Sequence, residues 1–499
     1  MKETTSLWIA TSERGTRPPL LGDSEFDTVI IGAGIVGLSV AYALRGRGER
    51  VALIEARRLL NGVTGNTTGK LTSQHGRIYK HLVDTFGKEK SQQYADGNEW
   101  AIREVRRIAG EESIDCDYTA DTAHIYALDE NASKDFEEEV EAAVSLGLPA
   151  TIVNPDLPFP VHSAIRFDNQ ARYHPLKYLL GLAVASEREG IQIFENSRAL
   201  TVEETSGSCR VETEHGVVRA CRVVLATHYP IHDSGLFVAK LAPYRSYAMA
   251  VDLEGELPTG MYITEGEPMR SFRRQPYQGR DILIVGGEHH KVGQEDDSAA
   301  CFQRVEAWAR STFPVREVLF RWSTQDNWTP DRLPYVGNSP SRDNIFIATG
   351  FGGWGMTNGI LAGRIISDAI LGKDNAYAEI LRPSRMTWGA TPKMVSENIN
   401  SAKYMIGDRL ARVEKRELST IEAGAAAIVQ VEDERVAAYR DPSGALHVVT
   451  AACTHWGCQV HWNNAEKSWD CPCHGSRFGI DGEVLHGPAA TRLEKRPCE

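Results

Sequence analysis

Residues 27–55 read DTVIIGAGIVGLSVAYALRGRGERVALIE, and this stretch decides the fold. Residues 27–31 form a short β-branched apolar run, the pattern of a buried strand. The glycines of GAGIVG follow at 32, 34 and 37. Ile35, Val36, Leu38, Val40, Ala41 and Leu44 then recur at helical spacing, and Gly46 and Gly48 close that helix. Residues 50–54 (RVALI) are a second buried strand, ending at Glu55. Strand, glycine turn, helix and strand make a βαβ unit at the head of a doubly wound sheet. In such a unit Gly32 allows the tight turn, Gly34 lets the backbone approach a pyrophosphate, and Gly37 allows close helix–strand packing. The helix start at Ile35 and Val36 offers free N–H groups and a positive dipole end to phosphate. Glu55, followed by Ala56 and Arg57, is placed to bind a ribose diol. The plainer alternative is a glycine-rich turn in an ordinary α/β protein, but strand, glycines, helix and acid all agree on a dinucleotide site.

Only one such fingerprint is present. The pair Gly286-Gly287 is followed by EHHKVG, which has no helix pattern. An enzyme binding flavin and nicotinamide in separate domains usually carries two fingerprints, so FAD is the expected nucleotide. Three further segments favour a flavin. Thr67, Thr68, Gly69 and Lys70 lie just past the second strand; residues 224–227 end a strand at Ala226 and Thr227; GFGGWGMT (350–357) opens a helix. Free N–H groups at that helix start suit a negative charge on a reduced isoalloxazine ring. The candidate cofactor residues there are Gly350, Gly352, Gly353, Trp354, Gly355, Met356 and Thr357, with Val202 added from the strand at 199–204.

Residues 27–371 resemble the large family of FAD-dependent amine and amino-acid oxidoreductases, the D-amino-acid, glycine and sarcosine oxidase group. The GxGxxG start, the Ala-Thr strand end and the TGFGGWGMT segment carry the resemblance. It implies an α/β, doubly wound FAD-binding sheet with an α+β substrate domain, and oxidation of a C–N bond to an imine that water hydrolyses. Positioning of a neutral amine does most of that work. Four residues are candidates for the catalytic site. Arg245 is placed to clamp a substrate carboxylate, or is a surface arginine. Tyr247 and Trp354, with Trp322, form an aromatic cage for an alkylammonium group, or are core. Lys70 tunes the flavin, or is a structural loop lysine. His75, His289 and His290 are weighed as acid–base groups against solvated loop histidines.

The last eighty or so residues differ. Short alternating strands with turn signals at 441–444 read as a small all-β domain. Within it stand CTHWGC (453–458) and CPCHGS (471–476). Cys453, His455, Cys471 and His474 supply two thiolates and two imidazoles, the ligation of a Rieske [2Fe–2S] cluster. A Cys₂His₂ zinc site is the competitor, but zinc knuckles use C-x-x-C rather than C-x-H, and zinc leaves Cys458 and Cys473 without a role. The block closely resembles the Rieske domains of respiratory and photosynthetic cytochrome complexes. That resemblance implies a Cys458–Cys473 disulfide joining the two cluster loops, and a third loop at Gly487-Pro488-Ala489. It also places Ser476 against a cluster sulfur, with Phe478 where high-potential members have tyrosine.

The chain has 499 residues, enough for two to four domains. The expected division is a lead-in at 1–26, an oxidoreductase unit at 27–375, a linker at 376–415 and the Rieske domain at 416–499. FAD-binding parts are expected at about 27–80, 160–240 and 330–375, and substrate-domain parts at about 81–159 and 241–329. Lys plus Arg is 55 and Asp plus Glu is 67, a net charge of −12, which argues against nucleic acid or an anionic membrane as the main partner. No apolar run spans a bilayer and no leader pattern opens the chain, so the expected setting is cytoplasmic, without membrane insertion. The combination resembles a bacterial set of FAD-dependent oxidoreductases ending in a Rieske domain. It implies a converter: an amine or amino acid gives two electrons to FAD, which leave singly through the cluster to an external one-electron acceptor protein. Two alternatives stand beside it: a reductase, in which a donor protein reduces the cluster and FAD reduces a substrate, and a non-catalytic redox sensor or carrier.

Overall fold

The computed structural model describes residues 4–205, 207–231, 235–340, 342–385, 391–410 and 417–497. The first residues of the lead-in (1–3), parts of the linker (386–390 and 411–416), Arg416 at the start of the all-β domain, and Cys498 lie outside the described residues.

The apolar run at 27–31 lies in the strand Ser24–Ile31, which is central in an eight-stranded sheet. Val51–Ile54 and Gly216–Leu225 flank it in parallel, with Gln192–Phe194 and Ile345–Thr349 next outward, also parallel. Tyr335–Asn338 closes one edge antiparallel to Ile345–Thr349. The expected helix is Ile35–Leu44, buried almost all round, as an apolar helix between a sheet and other helices must be. It packs in one core with the helix Gly355–Ile370. The doubly wound reading therefore holds.

A second sheet of nine strands runs Val315–Trp328, Ala242–Leu253, Arg280–Lys291, Arg270–Tyr277, Met261–Thr264, Thr119–Ala127, Ser163–Arg172 and Lys70–Leu71, with Ala150–Val153 paired to Ser163–Arg172. Two pieces expected in the FAD-binding parts, Lys70–Leu71 and Ser163–Arg172, thus belong to this substrate-side sheet. Both pair with it through long-range register that no local pattern reveals.

The C-terminal part is two small antiparallel sheets, Ala426–Val431 to Leu446–Thr450 and His461–Asn463 to Val484–His486. The linker, read as lacking period, contains the helix Thr391–Leu410. It ties the units together. Asn398 donates to Ala239 O at 2.9 Å, Ser401 Oγ to Cys473 O at 3.2 Å, and Tyr404 and Met405 pack on the all-β core.

Candidate functional site

The glycine turn is built for close backbone approach. Gly32 has φ +103°, and a Cβ there would lie 2.6 Å from Ala226 O. A Cβ on Gly37 would lie 1.9 Å from Gly32 O. Only glycine fits either position. Glu55 is oriented by two backbone donors, Ala33 N–H at 2.9 Å and Arg57 N–H at 3.0 Å. Thr64 Oγ1 accepts from Ile35 N–H at 3.1 Å.

Of these, all but Gly37 border a cleft of about 330 Å³. Gly32, Gly34, Ile35, Val36, Glu55, Ala56, Arg57, Thr67, Thr68, Lys70, Ala226 and Thr227 line it, as do Gly352, Gly353, Trp354, Gly355 and Met356. Five expected cofactor residues do not line it. Gly37 and Gly350 support the backbone turns from behind, and Gly69 abuts Arg273 and Pro175. Thr357 bonds to Thr72 O. Val202 is buried in the core behind the sheet, and Arg198 and Ala199, where the strand Ala199–Thr205 begins, reach the cleft in its place. The pairing of this strand is irregular between Ala199 and Thr201, so no simple alternation relates the two ends.

Strand alternation corrects the arginine clamp. Tyr244 pairs with Asp326 and Ser246 with Thr324 across two antiparallel strands, and all four line the cleft. Arg245 and its cross-strand neighbour Gln325 face the other way. Arg245 is 2% exposed and is bonded to Ser323 and to Glu466 of the Rieske domain. It is therefore not a surface arginine, and it is not offered to a substrate. The aromatic cage also differs. Trp322 is in the core, with Nε1 donating to Asn66 O at 2.9 Å. Tyr247 borders the cleft, but its hydroxyl is bonded to His290 Nε2 at 3.0 Å and its ring packs edge-on to Phe302. The rings assembled on the cleft are instead Tyr244, His289 and Trp328. Tyr244 and His289 stack at 4.5 Å, and Trp328 lies 5.5 Å from His289.

Of the remaining candidates, His75 is buried, and His290 and Lys70 are half-buried rather than solvated. His75 lies under Trp354, stacked at 5.0 Å, with Nε2 2.9 Å from Thr357 Oγ1. Burial lowers it to about 3, so it is neutral. Burial also lowers His290. Lys70 Nζ donates to Tyr262 O at 2.7 Å and Ser271 Oγ at 2.6 Å. Burial, then the nearby Arg273 cation, lowers it to about 7.

The four expected cluster ligands fall into two close pairs. Cys453 and Cys471 are buried, outside any disulfide, and hydrogen-bonded to one another. The His455 and His474 rings stand 5.1 Å apart. His474 is 4% exposed and its Nδ1 has no hydrogen-bond partner. A buried imidazole nitrogen with no partner is costly unless it binds something, which fits metal ligation. Cys458 and Cys473 form the expected disulfide. Ser476 bonds to the Cys453 thiol and accepts from Ala489 N–H at 3.0 Å. Phe478 is fully buried in the same core. Phe478→Tyr is expected to raise the cluster potential by about 50 mV, one added hydrogen bond of roughly 1 kcal/mol on a one-electron couple. Redox titration by EPR checks this; an unchanged potential means that Phe478 only fills the core.

The sequence reading did not find how the two halves meet. Leu485 and His486, from the strand Val484–His486, and Gly487, Ala489 and Ala490, from the third loop after it, line the same cleft. Arg57 donates to Leu485 O at 2.9 Å and Arg198 to Val484 O at 3.0 Å. His228 Nδ1 lies 3.1 Å from His486 Nε2. Tyr229, also on the cleft, has its ring 6.5 Å from that of His455. Gln325 donates to Gly475 O at 2.9 Å.

Residues 27–369 match the family model described as FAD dependent oxidoreductase, and residues 411–497 match the Rieske [2Fe-2S] domain. The chain is 36% identical, over 98% of its length and 97% of the other's, to YhfW of Bacillus subtilis (strain 168), whose name describes a Rieske 2Fe-2S iron-sulfur protein. It is 24% identical to the gamma-glutamylputrescine oxidoreductase of Escherichia coli (strain K12), over 82% of this chain and 100% of that one. Among solved structures, glycine oxidase from Geobacillus kaustophilus shares the fold with a TM-score of 0.62 and 19% identity, covering 72% of this chain and 99% of that one. The chain belongs to the FAD-dependent oxidoreductase family and carries a C-terminal Rieske domain. It binds FAD and a [2Fe–2S] cluster, and among the described residues no helix is long and apolar enough to cross a membrane.

Proposed function

We propose that this family member is a dehydrogenase that oxidises a C–N bond of an amine or amino acid and passes the electrons singly through its Rieske cluster to an external acceptor protein. The observation that carries the reading is the shared wall. The third cluster loop borders the flavin cleft, and Tyr229 stands between that cleft and the cluster ligand His455. FAD, when bound, takes two electrons from an organic substrate, whereas a Rieske cluster takes one at a time. The chain's own residues bind and orient. The start of the helix Ile35–Leu44 would hold the phosphates, Glu55 the ribose, and the turn at 352–355 the flavin ring. Lys70, Ser246, Thr324 and Asp326 form the polar side of the cleft, while Tyr244, His289 and Trp328 form its aromatic side. The unpaired Cys116, Cys209, Cys221 and Cys301 suit a reducing, cytoplasmic setting.

An anaerobic titration of the holoenzyme with primary, secondary and N-methylated amines and amino acids tests the reading. Flavin bleaching followed by the reduced-cluster EPR signal is the expected result. If no such compound reduces either centre, while a ferredoxin-type donor reduces first the cluster and then the flavin, electrons run the other way and the enzyme is a reductase.

A further inference from the structure

An α-amino acid brings a carboxylate to the carbon being oxidised, and a buried carboxylate needs a cation or several donors facing it. Among the described residues, three Lys or Arg side chains border the cleft: Arg57, Arg198 and Lys70. Arg57 and Arg198 stand at the nucleotide end, on the Glu55 side, and donate to Leu485 O and Val484 O. Lys70 already donates to Tyr262 O and Ser271 Oγ, and its environment disfavours the charged form. Arg245, in the strand that walls the cleft, is turned to the opposite face and neutralised by Glu466. Arg270 and Arg273, two strands away in the same sheet, are bonded to Glu288 and to Thr68 O and Gln275 respectively. The substrate side of the cleft instead presents the Asp326 carboxylate, 3.8 Å from His228 Nε2, and the aromatic wall of Tyr244, His289 and Trp328. The same three rings wall a second chamber of about 330 Å³, rimmed by Glu267, Glu397 and Lys240. That chamber gives the far end of a substrate room to extend.

We propose that the substrate is an alkylamine with no carboxylate on the oxidised carbon, its nitrogen received by Asp326 and the Tyr244–His289–Trp328 wall. Aromatic faces and a carboxylate attract an alkylammonium, and the same carboxylate repels a carboxylate-bearing substrate. The inference rests on the C–N oxidation reading above. The chemistry balances within it: a hydride leaves carbon for FAD, a proton leaves nitrogen, and C=N forms. Water then adds and the carbonyl and amine separate.

The test uses the holoenzyme and matched pairs that differ only by the carboxylate: pyrrolidine against L-proline, N-methylbutylamine against N-methyl-L-norvaline, 1,4-diaminobutane against L-ornithine. Anaerobic stopped-flow follows flavin bleaching. The carboxylate-free members that react are expected to show kcat/KM at least about tenfold above their partners, and Asp326→Asn is expected to lower the amine rate about tenfold while leaving that of the amino acid unchanged or raised. Faster reaction of the carboxylated members, or an Asp326→Asn enzyme with unchanged preference, overturns the proposal. If neither member of any pair bleaches a flavin that dithionite reduces normally, the C–N oxidation reading itself fails, and this inference with it.

Discussion

Arg245→Leu is expected to slow electron passage from flavin to cluster at least about tenfold, with substrate reduction of the flavin left within about threefold. Arg245 and Arg477 share Glu466, and Arg477 also holds Asp470 at 2.9 Å. Two cations and two anions thus balance at a buried junction between the domains. Burial alone would push the Glu466 carboxyl up, but Arg245 and Arg477 outweigh it and hold it at about 2. Removing Arg245 leaves two buried carboxylates facing one guanidinium. Breaking such a pair from one side costs about 3–5 kcal/mol, roughly a thousandfold in the docked-to-undocked ratio before other contacts compensate. Electron transfer depends on docking, because Tyr229 meets His455 only while the domains are together. Flavin reduction does not, because Arg245 faces away from the cleft. The double variant Arg245→Leu/Glu466→Leu separates this account from general misfolding. It leaves Arg477 paired with Asp470 alone, and replacing a buried ion pair by apolar residues is often neutral. It should recover most of the transfer rate. If Arg245→Leu transfers electrons normally by stopped-flow at the cluster absorbance, the junction does not govern docking.

That junction also marks the limit of what could be read without coordinates. The glycine turn, Glu55 and the cluster ligands were legible because each is a local pattern whose chemistry demands particular residues at particular spacings. The disulfide between Cys458 and Cys473 came from the Rieske resemblance, and the structure has it. The substrate side was not legible. Arg245 sits one position from Tyr244 and Ser246, and only the register against residues 324–326 decides which of them faces the cleft. Trp328 and Asp326 carried no motif, and His289 was weighed only as an acid–base group or a loop histidine; with Tyr244 they acquire meaning by meeting across three strands. The run 323–328 does alternate, with Thr324, Asp326 and Trp328 on the cleft and Ser323 and Gln325 bonded toward the Rieske side. A period of two was present, but nothing in one strand says what lies on either side of it. The helix Thr391–Leu410 escaped for a related reason. Its contacts are split between Ala239 on one unit and Cys473 on the other, partners that only the folded chain brings to it.

Lys70 carries the other large effect. Its folded pKa is lowered from 10.5 to about 7 by burial and by Arg273. Above pH 7 it is a neutral amine whose two N–H bonds go to Tyr262 O and Ser271 Oγ, which leaves a lone pair on the group that borders the cleft. A substrate ammonium must lose a proton before its C–N bond can be oxidised, and a base of pKa near the working pH serves best. The limiting rate of flavin reduction at saturating substrate should therefore rise with pH through about 7 and level off above it. In Lys70→Met that limb should vanish and the rate fall about 100-fold, the lower end of what a positioned general base supplies. Stability moves with the opposite dependence on this residue. Between pH 7 and 10.5 the unfolded chain holds a proton that the folded chain lacks, so wild-type stability rises with pH across that window. Lys70→Met, which buries no charge at any pH, should be the more stable protein at pH 6 while being the slower enzyme. A flavin-reduction profile that keeps its limb near 7 in Lys70→Met would assign the proton to another group, and a melting temperature at pH 6 below that of wild type would mean that the Lys70 bonds outweigh its desolvation.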